Sequence, residues 1–192
     1  LNKNQQELSE IKGAQVDQVR NLILSSEGRA AQKYWQVVKE ILPDYLEFSG
    51  RTTQHAADLV NSLLNYSYGI LYSKVSAVIL RAGLDLYAGF LHADRPGKPS
   101  LTLDLIEEFR QTVVDRTVIG LLNQGMSFTI EEGRIADDDR RRLAHKVLQR
   151  LESKELYRGK RFRLEVILQK QARNIASYLR GDADYNSFVS GW

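Results

Sequence analysis

Only three prolines occur in 192 residues, Pro43, Pro96 and Pro99, and each falls where a helical pattern breaks. A proline inside a helix removes a backbone donor and clashes with the preceding turn. The long stretches between the prolines therefore decide the fold class. Leu8, Ile11, Val16, Val19, Leu22 and Ile23 suggest a first helix. Ala30, Ala31, Tyr34, Trp35, Val38, Ile41 and Leu42 suggest a second, stopped before Pro43. Asp58 to Arg81, DLVNSLLNYSYGILYSKVSAVILR, is long and strongly apolar, with room for a bend near Ser67 and Gly69. Leu103 to Leu122, Asp137 to Leu151 and Phe162 to Leu179 complete the set, and Gly181 ends the last. SFTIEEGRIA alternates around Gly133 and predicts one small hairpin. The expectation is a mainly α chain, a single helical domain over residues 1–192, because no linker-like stretch separates the helices.

Composition narrows the chemistry. The chain has no cysteine, which removes disulfides, thiolate zinc sites and cysteine nucleophiles. Its net charge is +3, so a nucleic-acid surface must be a local patch. No apolar run approaches membrane-spanning length. The sequence begins Leu-Asn-Lys without a signal-like segment, which fits a piece of a longer polypeptide.

The stretch GFLHADRPGKPSLTLDLIEEFR, Gly89 to Arg110, sets His92 and a carboxylate cluster either side of a short basic loop. A solvated turn before an amphipathic helix is one reading. A divalent-metal site beside a phosphate-binding loop is the other. On the helix from Leu103, the stripe Leu103, Ile106, Val113, Val114 and Leu121 is apolar, with Glu107 at its edge one turn from Asp104. Asp104 and Glu107 are expected to converge on one point, while Glu108 and Asp115 point further out. Glu27 shares a helical face with Ala31, Tyr34 and Val38. There it either loses water and needs a partner or sits in a first turn after Ser25-Ser26, where it favours the helix dipole. Imidazole with two or three carboxylates suits manganese, and magnesium less, since magnesium prefers oxygen. Arg95 and Lys98 beside such a site would bring phosphate to the metal, a combination suited to phosphodiester chemistry. Arg51 and Arg110 are further phosphate contacts, and Arg158, Lys160, Arg161 and Arg163 form the densest positive run, which either binds DNA or solvates a turn.

These residues carry a resemblance. EGRAAQKYW (Glu27 to Trp35), DLVNSLLNYSYGIL (Asp58 to Leu71), GLDLYAGFLH (Gly83 to His92) and SLTLDLIEEFR (Ser100 to Arg110) occur in the order seen in the CRISPR spacer-acquisition integrase, the first of the universal Cas proteins. The end of the chain, YRGKRFRLEVILQKQARNIASYLRGDADYNSF, is similar too. The resemblance implies a Mg2+- or Mn2+-dependent DNA integrase and endonuclease of the prokaryotic cytoplasm. It implies Glu27, His92 and Glu107 as metal ligands, Asp104 as the neighbouring catalytic acid, and Tyr68 as a residue that places the scissile phosphate or DNA end. The implied reaction is transesterification, in which the 3′-hydroxyl of spacer DNA attacks a phosphodiester at the edge of a CRISPR repeat. The implied partners are double-stranded DNA, a second copy of the chain and the small ferredoxin-like second universal Cas protein, with a fused reverse transcriptase as a further candidate. The N-terminal β-rich domain usual in that family is expected to be absent from these residues. Departures such as Gly83-Leu84-Asp85-Leu86, where the family commonly has proline, and Gln111 after Arg110 leave the implied metal set untouched. Two other readings stay open: a helical DNA-binding or assembly module with catalysis elsewhere in a longer chain, and a plain metal-dependent DNase.

Overall fold

In the computed structural model the described residues are 10, 16–53, 58–92 and 97–191. They fall into two compact units, Leu1–Thr52 and Thr53–Trp192. The division lies after Gly50-Arg51, where no change in composition announces it.

The first unit is built on α1, Val16–Ile41, a single helix where the sequence suggests two. Ser25, Ser26 and Gly28 lie within it rather than starting a new helix. Each costs only about 0.5–1 kcal/mol of helix propensity, and no proline interrupts the run. Leu8 and Ile11 of the expected first helix lie outside the described residues. Pro43 ends α1, and a 3-10 turn, Asp44–Leu46, leads to Phe48, whose ring meets Trp35 edge-on at 6.1 Å.

The second unit is organised around α2, Leu59–Arg81, an unbroken helix. Asp58 caps it by accepting from the Asn61 amide at 2.8 Å. Val60, Leu63, Leu64, Leu71, Val75, Val78 and Ile79 are buried around its circumference. Such a helix needs neighbours on several sides, and α2 packs on α3 (Ser100–Phe109), α4 (Arg116–Asn123), α5 (Asp137–Glu152) and α6 (Leu164–Leu179). Gly83, with φ +75°, ends α2: its amide bonds Leu80 O and the next amide, of Leu84, reaches back to Ile79 O.

Between α3 and α4 the chain makes a π-helical segment, Arg110–Asp115. Two antiparallel hairpins complete the unit. The first, β1 (Ile130–Glu131) with β2 (Arg134–Ile135), is the one the alternation predicts. The second, β3 (Lys154–Tyr157) with β4 (Lys160–Arg163), occupies residues partly assigned to the last helix, which starts at Leu164 instead of Phe162. Its tight turn puts Arg158 and Gly159 at φ 48° and 78°, the left-handed pair that matches strand twist. Among the described residues no helix is long and apolar enough to cross a membrane.

Candidate active site

Residues 84–92 run from the end of α2 to a close approach against the first turns of α3. The Leu101 amide bonds Leu86 O, the Gly89 amide bonds Ser100 Oγ at 3.0 Å, and Ser100 Oγ donates to Tyr87 O. Gly89 allows this approach: a Cβ there would lie 2.6 Å from Ser100 Cβ and 2.8 Å from Asp104 Oδ2.

Asp104 is spent on the loop. Its carboxylate accepts from the amides of Phe90 (2.5 Å), Leu91 (3.1 Å) and His92 (3.0 Å) and meets His92 Nδ1 at 2.6 Å. A carboxylate facing Nδ1 holds the ring in the tautomer with hydrogen on that nitrogen, which leaves the Nε2 lone pair for a ligand. The expected convergence of Asp104 and Glu107 does not occur. Asp104 turns back towards residues 90–92, whereas Glu107 is exposed and pairs with Arg110 at 2.5 Å. Asp104 thus stands behind the histidine as its support.

Arg110 links Glu107 to a second group. Its guanidinium lies over the Tyr68 ring, 4.5 Å from the centroid, and Tyr68 OH donates to Asp115. Burial opposes the Arg110 charge, but the Glu107 carboxylate and the Tyr68 phenol outweigh it, so the guanidinium is held above its ordinary pKa. Asp115 is 2% exposed and does not point outward as expected. Val113, Val114 and Leu121 are buried as the count from Leu103 expects, and Asp115 lies close to the direction of Glu108 in that count, on a side that is covered by protein rather than solvent.

Glu108 overturns a further expectation. It is not a surface charge: it accepts from Gln171 Nε2 at 2.8 Å, from the Phe188 amide at 2.9 Å and from Tyr185 OH. Outward from the apolar stripe is inward to another layer, because α6 and the segment after it cover that side of α3. Gln171 continues the network to Tyr157 OH at 3.0 Å.

Glu27 lies on α1 in the first unit, solvent-exposed rather than dehydrated on an apolar face. Arg51, also of that unit, is half-buried, and its Nη1 donates to Thr52 O. Lys98 is exposed. Arg95 and His55 lie outside the described residues. Among the described residues no three histidine, aspartate or glutamate side chains are gathered closely enough to hold a metal ion. Sequence reasoning missed Arg150, which donates Nε to Thr112 O in the π segment at 2.9 Å and pairs with Glu155 at 2.6 Å. Its one available signal is its place as the basic residue in the last turn of the helix.

The sequence matches the family described as CRISPR associated protein Cas1 over residues 1–174. The CRISPR-associated endonuclease Cas1 1 of Archaeoglobus fulgidus is 38% identical over 198 residues, which cover 97% of this chain and 57% of that protein. Among solved structures, a casposase bound to integration product has a TM-score of 0.86 at 30% identity, covering 97% of this chain and 53% of the casposase chain. A Cas6-RT-Cas1–Cas2 complex has a TM-score of 0.79 at 26% identity, covering 94% of this chain and 20% of that one. The chain spans about half the length of the curated relatives it matches. With the family match running through nearly all of its length, and with the histidine loop and the α3 acids in the order the resemblance requires, the chain belongs to the CRISPR associated protein Cas1 family.

Proposed function

We propose that this chain is the helical catalytic part of a CRISPR-adaptation integrase and endonuclease. It joins the 3′-hydroxyl ends of spacer DNA to the CRISPR repeat by transesterification. The observation that carries the reading is the buttressed imidazole: Asp104 binds three loop amides and His92 Nδ1 together, so the direction of Nε2 is set before any ligand arrives.

Glu27, His92 and Glu107 are the ligands of Mg2+ or Mn2+ in this reading. The donors fit such an ion: His92 offers one nitrogen lone pair, and Glu107 is an exposed carboxylate. When bound, the ion screens phosphate charge and favours the oxygen nucleophile and leaving oxygen. The chain's own groups do the positioning. Asp104 keeps His92 from rotating. Arg110, fully charged, offers a planar guanidinium to a phosphate once Glu107 has another partner. Tyr68, fixed through Asp115, sets the plane on which that guanidinium lies. Arg51, Arg95 and Lys98 supply further phosphate contacts. The partners are double-stranded DNA, a second copy of the chain and the small ferredoxin-like second universal Cas protein, with a fused reverse transcriptase as a further arrangement, all in the cytoplasm of a prokaryotic cell.

The test is strand transfer from a labelled duplex into a repeat-containing target with Mg2+ or Mn2+. Glu27→Ala, His92→Ala and Glu107→Ala should each lower joining by about a hundredfold or more, with helical circular dichroism kept. Undiminished joining by His92→Ala refutes the assignment. Hydrolysis by the wild type without joining favours the plain DNase.

A further inference from the structure

The β3–β4 hairpin has two unlike faces. The register pairs Lys154 with Arg163, Glu155 with Phe162, Leu156 with Arg161 and Tyr157 with Lys160. Directly paired residues of an antiparallel ladder share a face, and alternate residues along each strand join them. One face therefore holds Glu155, Tyr157, Lys160 and Phe162. It turns to the protein: Tyr157 is buried and contacts Phe188, and Glu155 meets Arg150. The other face holds Lys154, Leu156, Arg161 and Arg163, all four exposed.

Nothing in the folding of the hairpin calls for that second face. Lys154 and Arg163 stand directly opposite each other, an arrangement that destabilises a ladder. Leu156 sits between the cations, 61% exposed. The face itself carries no acid. Off the face, Glu165 pairs with Arg163 at 3.4 Å and is itself about half exposed. Arg158, at the turn, adds a fourth cation at the tip, with its guanidinium 5.3 Å from the Tyr157 ring centroid. The hairpin is also rigidly seated, because Arg150 grips Glu155 from α5 while Phe162 lies beneath the Lys170 ammonium at 4.9 Å. A rigid, cationic, acid-free strip of extended backbone with one apolar contact fits a polyphosphate backbone, which fills it with negative charge and relieves the Lys154–Arg163 repulsion.

We propose that the outer face of this hairpin, Lys154, Leu156, Arg161 and Arg163, binds the phosphate backbone of a DNA duplex, as a contact surface separate from the His92 and Glu107 residues. The surface deepens the integrase reading, since it rests on DNA being the substrate, but its role is holding and not chemistry. The experiment measures the salt dependence of binding of a fluorescent 30-base-pair duplex to the wild-type chain and to a Lys154→Ala, Arg161→Ala, Arg163→Ala variant. Each neutralised contact should lower the log–log salt slope by about 0.9, so the triple variant should lose roughly 2–3 units. Thermal melting should equal or slightly exceed that of the wild type, because all three side chains are exposed and the Lys154–Arg163 repulsion is removed. An unchanged slope overturns the proposal, and so does a wild-type chain that binds poly-glutamate as tightly as the duplex and loses both equally on substitution, which would mark an acidic protein as the occupant. Strand transfer is read in parallel. A lost slope with no joining by the wild type keeps the hairpin and removes the integrase reading, whereas joining with an unchanged slope does the reverse.

Discussion

Asp104 makes four contacts with two oxygens, and that count decides what its replacement does. Asp104→Asn keeps the size but removes the charge and offers the loop amides one acceptor oxygen instead of two. The amide's NH2 would face donors among the amides of residues 90–92 or the His92 ring. The imidazole then loses the partner that sets its tautomer. Strand transfer should fall about 10- to 100-fold, the range for losing the support behind a metal-ligating histidine, while circular dichroism stays helical. Wild-type rates in Asp104→Asn would show that the buttress is dispensable. Gly89→Ala acts on the same loop by volume. Its new methyl would press on Ser100 Cβ and Asp104 Oδ2 at under 3 Å, against backbone-anchored atoms that have little room to move. The expected cost is about 1–3 kcal/mol, read as a lower melting temperature together with reduced activity. An unaltered melting temperature would mean that the loop can shift away from α3 freely.

At the scale of elements, a helical count finds one buried stripe and misses a second. The count from Leu103 puts Ile106, Val113, Val114 and Leu121 in the core on both sides of the π segment, and all four are buried. Glu108 and Asp115, which it points outward, both meet protein partners. Arg150 Nε donates to one carbonyl of the π segment, Thr112 O, and so ties it to α5. Arg150→Ala should therefore leave that carbonyl and the Glu155 carboxylate poorly satisfied. The loss is roughly 1–3 kcal/mol, or about 2–12 °C in melting temperature for a protein of this size. Calorimetry checks it, and a shift under 1 °C would remove Arg150 from the support of the segment. The mainly α fold and the first hairpin were legible because each depends on local periodicity and punctuation. Glu108 was not, because one helix can bury two faces and a single stripe reveals only the stronger. The β3–β4 hairpin hid for another reason: ELYRGKRF reads as a polar turn until Tyr157 and Phe162 are known to share a face. The buttress of His92 could not be read either, since it joins residues 12 apart through a loop whose path no periodicity describes.

Across the larger unit, residues 185–188 return to cover α3 at Phe109 and Glu108. Phe188 stacks on Phe109 at 5.2 Å, and Tyr185 and the Phe188 amide both end on Glu108. This closure makes stability depend on alkaline pH. Burial raises the Tyr185 phenol above its ordinary value of 10.0, and the neighbouring Glu108 carboxylate raises it further, since a second anion there would be repelled. Below pH 10 both folded and unfolded chains keep this proton, and the contribution is complete. As pH rises past 10 the unfolded phenol ionises while the folded one still holds its proton, so the unfolded state gains and stability falls. One such proton contributes a slope of up to about 1.4 kcal/mol per pH unit. Tyr185→Phe keeps the ring and removes the proton, at the expense of one donor to Glu108. The variant should be less stable than the wild type at pH 7 to 8 and should lose stability more slowly above pH 10, so the two curves approach each other between about pH 10 and 12. Urea unfolding at fixed pH steps measures both curves, with the other tyrosines common to each and cancelling in the difference. Parallel curves through that interval would show that Tyr185 gives up its proton as readily folded as unfolded, and that Glu108 is held by Gln171 and the Phe188 amide without its help.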